Sequence, residues 1–285
     1  MNEYGQIERI AIRRPEQAFI SQGQISKQWH DLNYHYEPDF DEAISEYGRF
    51  FDVLGQSGAE IIELGTFEHA SLDSIYVRDS LIVTPKGLVK AGMGKEQRWS
   101  EPGENAHFLY EKGENIAGEI ELPGMVEGGD LVWLDDETLL AAIGYRTNRA
   151  GIEQLQAIVG AVVTIHAFDI PHFKGAGDVF HLMSVLSPVD EDLAVVYLPL
   201  MPVRLVQLLQ ERGIGFVEVP DDEFDSMGCN VLAIAPRHAV MVSGNSETEK
   251  RLLATGCRVD VIKANEISRK GEGGPTCLTR PLVRK

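Results

Sequence analysis

Gly129-Asp130-Leu131-Val132-Trp133-Leu134 opens a module that recurs along the chain. The same opening, a small or polar pair before an apolar run, reads Arg78-Asp79-Ser80-Leu81-Ile82-Val83-Thr84 and Phe180-His181-Leu182-Met183-Ser184-Val185-Leu186. It returns as Cys229-Asn230-Val231-Leu232-Ala233-Ile234-Ala235 and as Thr276-Cys277-Leu278-Thr279-Arg280-Pro281-Leu282. From Asp79 through Asp130, His181 and Asn230 to Cys277 the steps are 51, 51, 49 and 47 residues. Each opening predicts a strand, then a turn, a second strand, a helix-like stretch and a third strand. Second strands fall at Gly87–Lys90, Thr138–Ile143, Leu193–Leu198 and Ala239–Val242, and helix-like stretches at Asn148–Val159, Met201–Arg212 and Glu247–Thr255. A near-constant period of this kind marks repeated supersecondary units. The fifth unit is truncated, which predicts a closed ring completed by an N-terminal strand at Ile7–Ile12. In such a ring Asp79, Asp130, His181, Asn230 and Cys277 converge near one axis.

Outward from the repeat, Asp39–Gly55 reads as a helix with an aspartate cap and a stripe of Ile44, Tyr47, Phe51 and Leu54. Gly58–Leu64 is a further strand. Arg13–Tyr36 has no clean period, and a loop of that length is often functional. Its aromatic end, Trp29–Tyr36, is expected to form a lid.

The chain has 285 residues and a formal net charge of −18. Such an acidic balance argues against nucleic-acid or anionic-membrane partners, which need a basic face. It suits a cationic ligand. No apolar run approaches the roughly 18 residues of a membrane span, and no secretory signal pattern opens the chain, so a cytoplasmic protein is expected. Three cysteines, Cys229, Cys257 and Cys277, make no disulfide framework, and no zinc-ligand spacing is present. Homo-oligomerisation is left open.

Cys277 follows Gly271-Glu-Gly-Gly-Pro-Thr, where glycines can take positive φ or let a ligand approach closely. A cysteine and a histidine meeting in space form a nucleophile with a general acid–base. Asp79 and Glu127, two carboxylates nearby, suit a planar cation held by charge-assisted hydrogen bonds. A planar cation between carboxylates, with a thiolate beneath its carbon, describes attack on a guanidinium or amidinium.

These residues carry a resemblance. Leu232–Pro236, Glu266-Ile-Ser-Arg-Lys-Gly271 and Gly273–Leu282 resemble the C-terminal part of arginine deiminases, while Val126-Glu-Gly-Gly-Asp130, Gly144-Tyr-Arg-Thr-Asn148 and His181-Leu-Met-Ser184 resemble dimethylarginine dimethylaminohydrolases. Both families belong to the guanidine-modifying, or pentein, superfamily. The resemblance implies an α/β fold, a five-bladed pseudo-symmetric propeller of ββαβ units, and a single catalytic domain over residues 1–285. It implies that Cys277 is the nucleophile, His181 the general acid and then base, and Glu127 the holder of the guanidinium and of His181. It further implies substrate contacts from Asp79, Asp73 and Met183, and carboxylate clamps from Arg146 and Arg98. No metal or organic cofactor is implied. The expected reaction hydrolyses the guanidinium of arginine or an N-methylated arginine through a Cys277 thiouronium.

Met183 stands where arginine deiminases and amidinotransferases carry a second guanidinium-gripping Asp. An apolar side chain there tolerates an N-alkyl substituent better. That favours a dimethylarginine-hydrolase-like enzyme, with arginine deiminase, arginine dihydrolase and amidinotransferase as alternatives. A non-catalytic propeller that only binds a partner is the reading of another class. Cys257 and Cys229 are expected to be structural.

Overall fold

The computed structural model describes residues 1–285. Its strands form five separate three-stranded sheets. One unit shows the pattern. Leu131–Asp135 pairs antiparallel with Thr138–Ile143 across a tight turn, and Thr138–Ile143 then runs parallel to Thr164–Asp169. A parallel pairing needs a crossover, and the helix Arg149–Val159 supplies it. The units starting at Leu81–Thr84, Leu186–Asp190 and Leu232–Ala235 repeat this order. In the fifth unit the C-terminal strand Thr279–Arg284 pairs antiparallel with Ile7–Ile12, which runs parallel to Glu60–Glu63. The two ends of the chain therefore close the ring.

Five joints hold successive units together at the axis. Asp79 Oδ1 accepts from Gly129 N at 3.0 Å, and Asp130 Oδ1 from Leu182 N at 3.2 Å. Ser187 Oγ donates to Cys229 O at 2.7 Å and accepts from Val231 N at 3.2 Å. Asn230 Oδ1 accepts from Thr276 N at 3.0 Å, and Cys277 O from Arg78 N at 3.2 Å. The residues that open each repeat thus satisfy the backbone of the next unit, where an unpaired buried donor costs about 1–3 kcal/mol.

The apolar core is divided among the units rather than pooled. A cluster of 24 buried residues joins the N-terminal region to the fourth and fifth units. The helix Phe40–Gln56 packs into it, with the Asp39 side chain accepting from Glu42 N at 2.9 Å as its cap. Its buried face is Ala43, Tyr47, Phe50 and Leu54. Tyr47 and Leu54 belong to the expected stripe, but Ala43 and Phe50, one position earlier, replace Ile44 and Phe51, which are only partly buried. Removing the Phe50 ring costs about 3–5 kcal/mol for a fully buried aromatic.

Two further expectations change. Arg13–Tyr36 is not a long loop, because it contains the short helices Pro15–Ala18 and Gln22–Gln28. Pro15 starts the first and the Ser21 side chain caps the second, signals too local to appear as a period. The helix Glu101–Glu111 completes the first unit and went unread, its Pro102, Gly103 and charges masking a weak apolar face. No helix is long and apolar enough to cross a membrane.

Candidate active site

The segment Val126–Asp130 carries Glu127, which is fully buried. The stretch Arg146-Thr147-Asn148 seats it. Thr147 Oγ1 accepts from Glu127 N at 3.1 Å, and Asn148 Oδ1 accepts from Met125 N at 3.1 Å while capping its own helix. Arg146 Nη1 lies 3.4 Å from both Glu127 oxygens. Gly94 N donates to Glu127 Oε1 at 2.9 Å, and His181 Nε2 stands 2.8 Å from Oε2. Burial pushes this carboxyl up, but the His181 bond and the Arg146 charge outweigh it and hold it at about 2.

His181 opens the third unit. Burial alone would lower its pKa. The carboxylates of Asp130, Asp79 and Glu127 overcome that and hold it up at about 9. Its Nδ1 is 3.9 Å from Asp79 Oδ1. Gly129 is required by this approach, since a Cβ there would sit 2.5 Å from His181 Nδ1. Burial raises Asp130 to about 6, and its bond to Leu182 N makes it a joint of the ring.

Cys277 is buried, and its pKa is raised, first by burial and then by the Asp79 charge. Against these, Asn230 Nδ2 donates to Sγ at 3.3 Å and Thr276 Oγ1 lies 3.7 Å away. Asn230 cannot flip, because its oxygen already accepts from Thr276 N and from Thr276 Oγ1 at 2.8 Å. The resting pair is therefore a neutral thiol and a cationic imidazole at pH 7. The glycines before Cys277 serve close approach rather than positive φ. A Cβ on Gly273 would meet the Tyr76 ring at 2.3 Å, while the left-handed residue in the segment is Glu272 at φ 61°.

Two cavities meet at Cys277. One is mainly apolar, about 50 Å³, with Phe173, Phe180, Met183, Phe224 and Met227 around His181 and Cys277, and Lys174, Asp178, Asp225 and Glu272 also in its lining. The other is polar and holds Asp73, Asp79, Lys95, Arg98 and Arg146. All eight residues expected in the site are thus brought together, with Glu127 sealed behind His181.

Arg98 needs correcting. Its Nε and Nη2 grip both Glu101 oxygens at 2.9 and 2.8 Å, Nη1 holds Asp79 Oδ2 at 2.7 Å, and Nη2 also reaches Tyr76 O at 2.8 Å. A guanidinium so committed orients Asp79 and is not an open carboxylate clamp. Asp73 is likewise answered, since Lys95 Nζ holds its Oδ2 at 2.6 Å and Leu32 O at 2.9 Å. Lys95 was missed, as was the chemical placement of Asn230. Lys95 belongs to no motif, and the repeat put Asn230 near the axis without showing its bond to the Cys277 sulfur, so the fold supplies both. Leu32 and Asn33, from the segment expected to form a lid, line the polar cavity. His35, assigned nothing, lies 2.8 Å from Glu272 at the rim. Cys229 is buried behind the apolar cavity, and burial raises its pKa strongly, as befits a structural thiol. Asp79, Glu127 and His181 offer donor atoms within 4.8 Å of one another, a spacing a metal ion could bridge, but each already has a protein partner.

Five ββαβ units around one axis, with a buried thiol facing a His–Glu pair, define the pentein fold of the guanidine-modifying superfamily. The family model for N,N dimethylarginine dimethylhydrolase, eukaryotic, matches residues 15–284, and the chain belongs to that family. It is a hydrolase acting on guanidino carbon–nitrogen bonds. It is similar to the YkgA protein of Bacillus subtilis (strain 168), 25% identical over 99% of this chain and 94% of that one. It is 26% identical to N(G),N(G)-dimethylarginine dimethylaminohydrolase of Streptomyces coelicolor, covering 83% of this chain and 84% of the relative. In structure it resembles dimethylarginine dimethylaminohydrolase of Pseudomonas aeruginosa complexed with citrulline. The TM-score is 0.79 at 20% identity, over 98% of this chain and 100% of that one.

Proposed function

We propose that the chain, as one catalytic domain over residues 1–285, hydrolyses N-methylated arginine to citrulline and a methylamine. One observation carries the choice of leaving group. The cavity that holds His181 and Cys277 is walled by Met183 and aromatic side chains, with about 50 Å³ of space. By the ~30 Å³ that a water occupies, that is room for one or two methyl groups. The proton donor and the apolar wall lie on the same side, so the departing nitrogen carries apolar substituents. Arginine deimination would place a bare ammonia there, with no polar partner at Met183.

Asp79, held by Arg98 and Gly129, presents its carboxylate to the guanidinium. Arg146 is the clamp for the substrate carboxylate, and Asp73 contacts the substrate beside Lys95. The incoming cation beside Cys277 favours the thiolate, and the thiol proton passes to solvent water as the substrate binds, His181 being already protonated. Cys277 Sγ then bonds to the guanidinium carbon. His181 gives its proton to the departing amine as the carbon–nitrogen bond breaks. The remaining thiouronium is attacked by water, which His181 deprotonates, and the ureido product departs with Cys277 restored.

The test is incubation with asymmetric dimethylarginine and with arginine, with and without glycine as acceptor. The expected result is citrulline and dimethylamine from the methylated substrate without acceptor. A new guanidino compound formed only with glycine would make the chain an amidinotransferase. Ureido product from arginine alone would make it a deiminase, and no turnover would leave the binding-protein reading.

A further inference from the structure

Three arginines are buried together on the far side of Cys277 from its substrate cavities. Arg78 is 1% exposed and Arg280 5% exposed. Arg284 is half-buried, but its Nε and Nη2 are shut off from solvent. A cavity of about 140 Å³ opens beside Arg280 and Arg284 and is lined also by Glu3, Trp133 and Leu282; Arg78 does not line it and is joined to it through Glu3. It shares no residue with the two cavities at Cys277.

The charges there do not balance. Glu3 alone answers the group, through Arg78 Nη2 at 2.9 Å. Asp79 also acts on Arg280, but its carboxylate is taken by Arg98. Three guanidiniums against one carboxylate leave two positive charges away from water, in a chain that is strongly acidic overall. Several donors are also orphaned: Arg78 Nη1, Arg280 Nε, and Arg284 Nε and Nη2 have no partner. Buried guanidiniums are normally paired and fully hydrogen-bonded. Burial and mutual repulsion lower Arg280 to about 9 and Arg284 to about 10, the direction expected where an anion is wanting. Water could meet the donors but could not neutralise the charge.

We propose that this cavity is a binding site for a small oxyanion of phosphate size. At ~30 Å³ per water-sized atom it holds about four or five heavy atoms, the size of a tetrahedral oxyanion. Planar N–H forks suit such an anion. The site has a route to the nucleophile. Arg78 Nε donates to Thr276 O at 3.0 Å and Arg78 N to Cys277 O at 3.2 Å, and the Arg78 charge favours the Cys277 thiolate. An anion that neutralises Arg78 therefore makes the thiol less acidic.

Inorganic phosphate and sulfate are titrated against the full chain, with chloride at matched ionic strength as control. The melting temperature and the rate of Cys277 alkylation by iodoacetamide are followed. Phosphate or sulfate is expected to raise Tm saturably, by about 3–5 °C at tenfold excess over Kd, and to slow alkylation about twofold. Chloride should do neither. Arg280→Gln and Arg284→Gln should each lose the response, while Arg146→Ala, altered only in the substrate cavity, should keep it. Glu3→Gln removes the competing carboxylate and should lower the phosphate Kd about tenfold. It decides the matter if the arginine variants fail to fold. No saturable response, a response lost in Arg146→Ala, or an unchanged Kd in Glu3→Gln would overturn the proposal.

Discussion

The two sides of Cys277 are built from opposite materials. On one side Phe173, Phe180, Met183, Phe224 and Met227 stand around His181, with Lys174, Asp178, Asp225 and Glu272 also lining the cavity. On the other, Asp73, Asp79, Lys95, Arg98 and Arg146 stand in interlocked pairs. An apolar wall discriminates weakly, since a methyl is worth about 1–3 kcal/mol, whereas a buried charge left unpaired is costly. In the proposed reaction the polar side fixes where the guanidinium sits, and the apolar side selects what leaves. Both act on one sulfur.

Removing the shared atom should have the largest effect. Cys277→Ser is expected to lower kcat at least ~10⁴-fold while substrate still binds, measured by citrulline formation and by calorimetry. His181→Ala removes the proposed proton donor and should cost about 10²–10⁴-fold in kcat. Turnover of that variant at the wild-type rate would break the assignment of sides.

Met183→Asp tests the selection itself. A carboxylate in the apolar cavity should depress kcat/KM for dimethylarginine about 100-fold and shift preference toward arginine. Equal losses on both substrates would mean that Met183 only packs. Lys95→Met frees the Asp73 carboxylate on the polar side. It should change KM by up to about tenfold with little change in kcat. A fall confined to kcat would place Lys95 in the chemistry instead.

The smallest effect is on pH-dependent stability. His181 is raised from 6.5 to about 9 in the folded chain. Its contribution is fully present below about 6.5 and is lost as pH rises through about 9. Glu127 is depressed from 4.5 to about 2, so its contribution is present above 4.5 and lost as pH falls through about 2. Tm should thus decline between pH 7 and 9.5, and His181→Asn should flatten that decline. Catalysis should fall over the same alkaline range as His181 loses its proton.

The repeat was legible because each strand opening obeys local rules, an apolar run behind a polar pair and a turn. The helix Glu101–Glu111 was not, since its packing against its own unit overrides a poor intrinsic pattern. The face of Phe40–Gln56 shifted for a similar reason. Apolar residues flank the stripe on both sides, and the neighbouring core chose Ala43 and Phe50 over Ile44 and Phe51.

Within the site, Cys277, His181, Glu127, Asp79 and Met183 could be placed from spacing and motif, and the fold gathers them. The partners of the charged residues could not be. Arg98 looked like a clamp because an arginine near acids suits a carboxylate, yet Glu101, three residues on, takes its fork. Asp73 looked free because Lys95 and Leu32 lie far from it in the chain.

The sequence by itself determined the five-fold period, the closing of the ring by its two ends and the choice of Cys277 as the candidate nucleophile. All three follow from local pattern and chemical type. Tertiary structure alone decided which charges are already spent, which face of Cys277 is mainly apolar, and that Arg280 and Arg284 line one cavity with Glu3, the partner of Arg78. Those depend on distances between side chains up to about 200 residues apart, such as Arg280 Nη1 to Leu81 O at 3.3 Å across 199 residues. No local rule carries such a distance.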